Sequence, residues 1–300
     1  MDLPGIIASR AARAGLAAAF CVASNGCASL KQMTSDFNRK WDDPKAAIAE
    51  LDESADGVRA SSSSSDEMAS MNANDCARQF GLNDKKADEA TLGARRVSAG
   101  ECLLEKGRNA DALAQFAAAG EGAVASQGAG IALVRLNRLE DARTALETAV
   151  ATDPALARAW NALGVAKDGL GLKEEAWADF QRAADADPTD GAALNNLGVS
   201  KLKAGIVDEA IAAFQAALTR GGAREAAETN LRLALAYDGD YAGSVKALPD
   251  DRRAVALNNA GVAAVSRGDT AEAKKLFSRA IEESPSFYAK AYSNLSLLLE

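Results

Sequence analysis

Residues 157–190, ARAWNALGVAKDGLGLKEEAWADFQRAADADPTD, decide how the chain folds. Counted from Ala157, Trp160 stands at position 4, Leu163 and Gly164 at 7 and 8, Ala176 at 20, Phe180 at 24, Ala183 at 27 and Pro188 at 32. Glycine and alanine occupy places where two helices would cross closely, while Trp160, Leu163 and Phe180 supply the bulk that fills the surrounding space. Asp187 and Pro188 end the second helix, because a proline inside a helix removes a hydrogen bond and clashes with the preceding turn. The stretch therefore predicts two antiparallel helices.

The same residue types return at the same offsets along the chain. The unit 93–122 has Ala99, Gly100, Ala112, Phe116 and Ala119, with Gly120 and Gly122 in place of the proline turn. The unit 123–156 has Gly130, Ala142, Leu146, Ala149 and Pro154, and 191–224 has Leu194, Leu197, Gly198, Ala210, Phe214 and Ala217. In 225–253, Ser244 replaces alanine and Pro249 is expected to cut the second helix short; 254–287 recovers with Leu257, Gly261, Ala273, Phe277, Ala280 and Pro285. A last helix, Ala289 to Leu299, keeps Tyr292, Asn294 and Leu295 in register and reads as a cap. This pattern resembles the tetratricopeptide repeat family. The resemblance implies an all-α superhelix, an α-solenoid of about six helix pairs plus a capping helix, over residues 93–300. The irregular fifth unit is where it should bend or loosen.

Composition narrows the function. The chain is 48% apolar and 25% charged, with only 5% aromatic residues, as suits helices packed through small side chains. A formal net charge of −8 disfavours nucleic acid, whose binding depends on Lys and Arg neutralising phosphates. There is no histidine, which removes the commonest general base near neutral pH and the commonest metal ligand. With no Cys-x-x-Cys and no glycine-rich phosphate loop, the sequence predicts neither a cofactor nor an enzyme.

Residues 1–26 place Arg10 and Arg13 ahead of an apolar run, Ala14 to Ala23, too short to span a bilayer but suited to a secretory signal. The run leads into Ser24-Asn25-Gly26-Cys27, which resembles a bacterial lipoprotein cleavage site, although Ser24 stands where that family usually has an aliphatic residue. The resemblance implies lipidation of Cys27 as the new N-terminus. Ala28 after it implies sorting to the outer membrane on the periplasmic side; ordinary cleavage near Ala23 or Ala28, or a plain Ala-rich helix, are the alternatives. Residues 27–92, with serines at Ser61 to Ser65, read as a lipid-anchored tether with little fixed structure. Within it, Asp43-Pro44 ahead of Lys45 to Leu51 predicts one short helix, either transient or a docking element.

In tetratricopeptide families the first helix of each unit lines a concave surface, with positions 2, 5, 6, 9 and 12 facing a bound peptide. Transferred to this chain, position 5 carries Gln127, Asn161, Asn195, Thr229 and Asn258, and position 6 carries Asn196, Asn230, Asn259 and Asn294. Position 9 carries Ile131, Val165, Val199, Leu233 and Val262. The groove would hold a ladder of amides, able to bond the backbone of an extended segment, beside an aliphatic strip for its side chains. Amides at position 6 have a scaffold reading too, since a buried amide normally finds a partner within the fold.

Cys76 and Cys102 are the cysteines of the predicted folded part. They either pair, as an oxidising periplasm permits, or leave Cys102 as a small buried residue. With the predicted anchor and the stretch TNLRLALAYDGDY (229–241), the chain resembles the Flp/Tad pilus assembly lipoproteins. That resemblance implies a periplasmic scaffold, outer-membrane anchored, whose protein partner is a secretin or another pilus-assembly component. A scaffold for cell-wall enzymes or outer-membrane biogenesis is the alternative, and an enzyme with a repeat docking arm a more distant one.

Overall fold

The computed structural model of the chain describes residues 73–82, 84, 86–284 and 289–299. The signal 1–26, Cys27, the short helix predicted at 43–51 and Pro285 lie outside the described residues. A short helix α1 (Ala73–Gln79) comes first. Six pairs follow: α2 (Glu89–Glu105) with α3 (Asn109–Ala118), α4 (Ala123–Arg135) with α5 (Leu139–Thr152), and α6 (Ala157–Gly169) with α7 (Lys173–Ala186). Then come α8 (Ala192–Lys203) with α9 (Val207–Leu218), α10 (Arg224–Asp238) with α11 (Tyr241–Val245), and α12 (Asp250–Arg267) with α13 (Thr270–Glu282). The last element is α14 (Ala289–Leu299).

Each pair turns at the same place. Gly107, Asn137, Gly171, Gly205, Gly239 and Gly268 all stand at position 15 of their units, and all have positive φ. A left-handed residue there lets its own N–H and the following one close back on the ended helix. In the second pair Asn137 N donates to Val134 O at 2.9 Å and Arg138 N to Leu133 O at 2.9 Å. Acidic residues in the first turn of the second helix, such as Glu140 and Asp141 or Glu174 and Glu175, complement its dipole.

Packing within a pair is set by positions 8 and 24. A Cβ built on Gly164 would lie 2.6 Å from the ring of Phe180, one on Gly198 2.5 Å from Phe214, and one on Gly261 2.5 Å from Phe277. Gly100 and Phe116 repeat the relation at 2.7 Å, and Gly130 faces Leu146 in the second pair. The four phenylalanines are at most 2% exposed and form the thickest part of the core. Between pairs, Trp160 belongs to the apolar clusters on both sides of it, and its indole N–H donates to Pro154 O at 2.9 Å. Arginines join successive units by donating to backbone carbonyls: Arg135 to Leu104 O, 2.6 Å; Arg220 to Ala184 O, 2.8 Å; Arg267 to Tyr237 O, 2.7 Å. Successive first helices pack directly on one another, and each second helix sits chiefly between the two first helices that flank it.

Two boundaries differ from the sequence expectation. Helix α1 and the start of α2 fall inside the segment read as tether: the side chain of Asp88 caps α2 by accepting from Thr91 N at 2.7 Å, and α1 packs on α2 through Cys76. In the fifth unit Pro249 does not end the second helix. That helix stops at Val245, Ala247 takes a left-handed φ of 57°, and Pro249 is the residue ahead of α12. The reason is Arg232, at position 8 where other units have glycine. Its guanidinium donates to Ser244 O at 3.3 Å and Lys246 O at 2.7 Å, binding the carbonyl end of a five-residue helix where a phenylalanine would otherwise pack.

Candidate functional site

The first helices carry the candidate groove, and the structure divides its residues into two groups. Of the expected ladder of free amides, six are paired between units, while the Oε1 of Gln127 is buried without a partner among the described residues. Asn230 Nδ2 donates to Asn195 Oδ1 at 2.9 Å, Asn294 Nδ2 to Asn258 Oδ1 at 2.9 Å, and Asn196 Nδ2 to Asn161 Oδ1 at 2.9 Å. Each bond joins position 5 of one unit to position 6 of the next. The doubled Asn195-Asn196 therefore has a structural reason: Asn195 accepts from the unit ahead and Asn196 donates to the unit behind. Asn195 is 1% exposed, Asn258 5% and Asn230 8%, so these three, with the buried Gln127, lie inside the stack rather than on its open face. Burial favours the pairing, because an amide removed from water without a partner loses its solvation for nothing in return.

The second group is the aliphatic strip. Ile131, Val165, Val199 and Leu233 are each half-buried on consecutive first helices, whereas Val262 at the same position is buried. Asn161, Asn196 and Asn259 keep partial exposure beside them, and Val124 and Val255 at position 2 are exposed. At the first-repeat end, Arg158 reaches across α4 to Glu101, 3.2 Å away. At the other end a depression lies between α10 and α12, lined in part by Thr229, Leu233, Val255 and Asn259, which are positions 5, 9, 2 and 6 of their units. Sequence reasoning missed this depression; its signal was the charged Arg232 at a position that is otherwise glycine.

Beneath the groove, Asp179 is fully buried and holds Lys167 at 2.8 Å and Arg182 at 2.5 Å. Burial pulls the Lys167 ammonium down, but Asp179 and Glu175 more than offset it, so its pKa is raised. Arg182 also stands 5.0 Å over the Trp160 ring. Ser200 accepts from the Trp177 indole at 2.8 Å and donates to Asp168. The Trp177–Ser200–Asp168 bonds tie the third unit to the fourth, whereas the Lys167–Asp179–Arg182 ion pairs lie within the third. Among the described residues no cluster of three or more His, Cys, Asp or Glu could hold a metal ion. Cys76 and Cys102 are joined as a disulfide with a Cα–Cα distance of 6.0 Å, fastening α1 to α2.

The helix pairs, their constant turn position and their glycine–phenylalanine contacts define a tetratricopeptide-repeat superhelix. Residues 128–191, 167–227 and 254–287 match the tetratricopeptide repeat family. No curated protein matches the sequence. Among solved structures, the Cut9–Hcn1 hetero-tetramer of the APC/C is similar at a TM-score of 0.56 and 19% identity, over 78% of this chain and 47% of that one. This chain thus spans about half the length of that structure. PilF of Pseudomonas aeruginosa is similar at 0.52 and 16% identity, over 68% of this chain and 97% of that one. A tetratricopeptide repeat protein from Parabacteroides merdae is similar at 0.49 and 14% identity, over 76% and 93%. At these identities the likeness is one of fold, a fold that ordinarily serves as a protein–protein interaction scaffold.

Proposed function

We propose that this chain is an envelope lipoprotein that holds an extended segment of a protein partner on its first-helix surface during assembly of a pilus or secretion system. The observation that carries the binding part is the partly buried strip Ile131, Val165, Val199 and Leu233, set on four successive first helices that pack directly on one another. A strip of that kind takes alternate side chains of an extended chain, while the partly exposed Asn161, Asn196 and Asn259 can bond its backbone. The paired amides keep the strip in line and are not the main contact. The envelope part rests on the signal-like segment ahead of Cys27, whose acylation would supply the membrane anchor, and is supported by the Cys76–Cys102 disulfide, a bond suited to an oxidising compartment. The pilus role rests on the sequence resemblance to Flp/Tad assembly lipoproteins, with a secretin or other pilus component as the partner.

The experiment is complementation in a strain lacking the protein. Labelled palmitate should enter the parent chain and not Cys27→Ala. Surface pili and secretin multimers should be restored by the parent but not by Cys27→Ala or by Val165→Glu/Val199→Glu. Unlabelled parent protein, or full assembly in the deleted strain, would contradict the reading.

A further inference from the structure

Helix α14 keeps the register of a further first helix, which puts Tyr292, Leu295, Ser296 and Leu299 at positions 4, 7, 8 and 11. In a complete unit this stripe faces the unit's own second helix. Phe180 fills the space over Gly164 at position 8, and Lys167 at position 11 pairs with Asp179 and Glu175 on α7. Position 11 is buried in four of the six units, as Leu103, Leu133, Lys167 and Ala264. On α14, the last described element, Leu299 at that position is 67% exposed, and Tyr292, two turns before it, is 55% exposed. The other exposed large apolar side chains among the described residues, Val124 and Val255, stand singly on different helices. Single exposed apolar residues are ordinary on a protein surface, whereas two on one face of one helix mark a contact surface.

The stripe fits a copy of itself. Residues 292, 295, 296 and 299 have the i, i+3, i+4, i+7 spacing of one helix face. Two such faces laid antiparallel, with a two-fold axis between 295 and 296, set Tyr292 against Leu299 of the second copy and Leu295 over its Ser296, a large side chain on a small one. Charge favours the same direction. Lys290 lies in the first turn of α14, at the positive end of the helix dipole, while that turn holds no acidic residue and the last turn no basic one. In the antiparallel pair each Lys290 stands beside the carbonyl end of the other helix, where a cation is favourable. We propose that α14 is a two-fold docking surface through which the chain pairs, antiparallel, with a second copy of itself. With 11 residues α14 is about 16 Å long, too short for the helix pair alone to bury the roughly 1,200–2,000 Å² of a stable interface, so the dimer is weak and depends on concentration. The joint stands apart from the first-helix strip and does not rest on the groove reading.

The test uses the full chain carrying Cys21→Ser/Cys27→Ser, which leaves only the disulfide-bonded Cys76 and Cys102. Sedimentation equilibrium should show a reversible monomer–dimer equilibrium across the micromolar range. Leu299→Glu, made at an exposed position, should weaken it about tenfold or more, with the circular dichroism spectrum and melting temperature of the monomer unchanged. Lys290→Glu should also weaken it while the monomer melts no lower than the parent, because an acidic residue suits the first turn of the isolated helix. Val165→Glu/Val199→Glu should leave the dimer intact, so loss of groove binding and loss of pairing are read separately. Direction is read by oxidising a mixture of Tyr292→Cys and Leu299→Cys chains. The antiparallel pair gives mainly the mixed 292–299 disulfide, and a parallel pair gives each chain linked to its own kind. A chain monomeric up to millimolar concentration, a dimer unaffected by Leu299→Glu, a dimer lost in Val165→Glu/Val199→Glu, or preferential self-linking would overturn the proposal. So would a monomeric parent that captures an envelope protein and loses it with Leu299→Glu, because the occupant would then be that protein.

Discussion

The Phe180 ring occupies the space where a Cβ on Gly164 would be, 2.6 Å from its nearest carbon, sixteen residues away on the paired helix. The same sixteen-residue interval separates Gly100 from Phe116, Gly198 from Phe214 and Gly261 from Phe277. Helix propensity favours alanine over glycine by about 1 kcal/mol, so Gly164→Ala sets that gain against overpacking of about 1–3 kcal/mol. The ring is buried at 1% and has no room to retreat, so net destabilisation is expected. Phe180→Ala should cost more, about 3–5 kcal/mol, through lost burial and an unfilled cavity. Urea denaturation of the two variants checks the order.

The bond from Asn230 to Asn195 is testable by a double-mutant cycle. Asn195→Ala leaves a buried amide donor on Asn230 without its partner and should cost about 1–3 kcal/mol. The double variant Asn195→Ala/Asn230→Ala should cost less than the sum of the single changes, because it removes both partners. Additive losses would show that the two amides do not depend on each other.

These two relationships also mark what the sequence could convey. The glycine–phenylalanine spacing was legible because both residues belong to one repeat and recur in most of the units. The amide pairing was not, because its partners lie 35 residues apart in different units, and whether position 5 faces the groove or the next helix depends on helix rotation rather than residue type. The fifth unit was recognised as irregular, but its cause was assigned to Pro249 when Arg232 was the more informative departure. A long charged side chain at a position otherwise held by glycine requires the paired helix to give way.

Reduction should loosen the N-terminal end selectively. The Cys76–Cys102 link closes a loop across a sequence separation of 26, for which chain entropy gives a stabilisation of about 3.5 kcal/mol. Reductant, or Cys76→Ser/Cys102→Ser, should raise amide hydrogen exchange in α1 and the start of α2 while α6 to α9 keep their protection. Uniformly faster exchange along the chain would show instead that the link stabilises every unit equally.

Alkaline pH should weaken the fold. The pKa of Lys167 is raised above its ordinary 10.5, and that of Tyr241 is pushed up to about 12 by burial and by its hydrogen bond to Asp269, 2.6 Å away. Both folded values lie above the unfolded ones, so their stabilisation is complete below about pH 10 and is lost as pH rises through the folded values. The melting temperature should hold between neutral pH and that point and then fall. Tyr241→Phe should remove from the ultraviolet difference titration a phenolate that otherwise forms near pH 12.

The central claim, that a protein partner lies along the aliphatic strip of the first helices, is tested most directly by photo-crosslinking in intact cells. A photoreactive amino acid is placed at Val165 or Val199, and in parallel at Gln215, which is exposed on the second helix α9. The groove positions should yield a discrete adduct with an envelope protein and Gln215 none. An adduct formed from Gln215 but not from Val165 or Val199 would place the partner on the opposite face and contradict the claim.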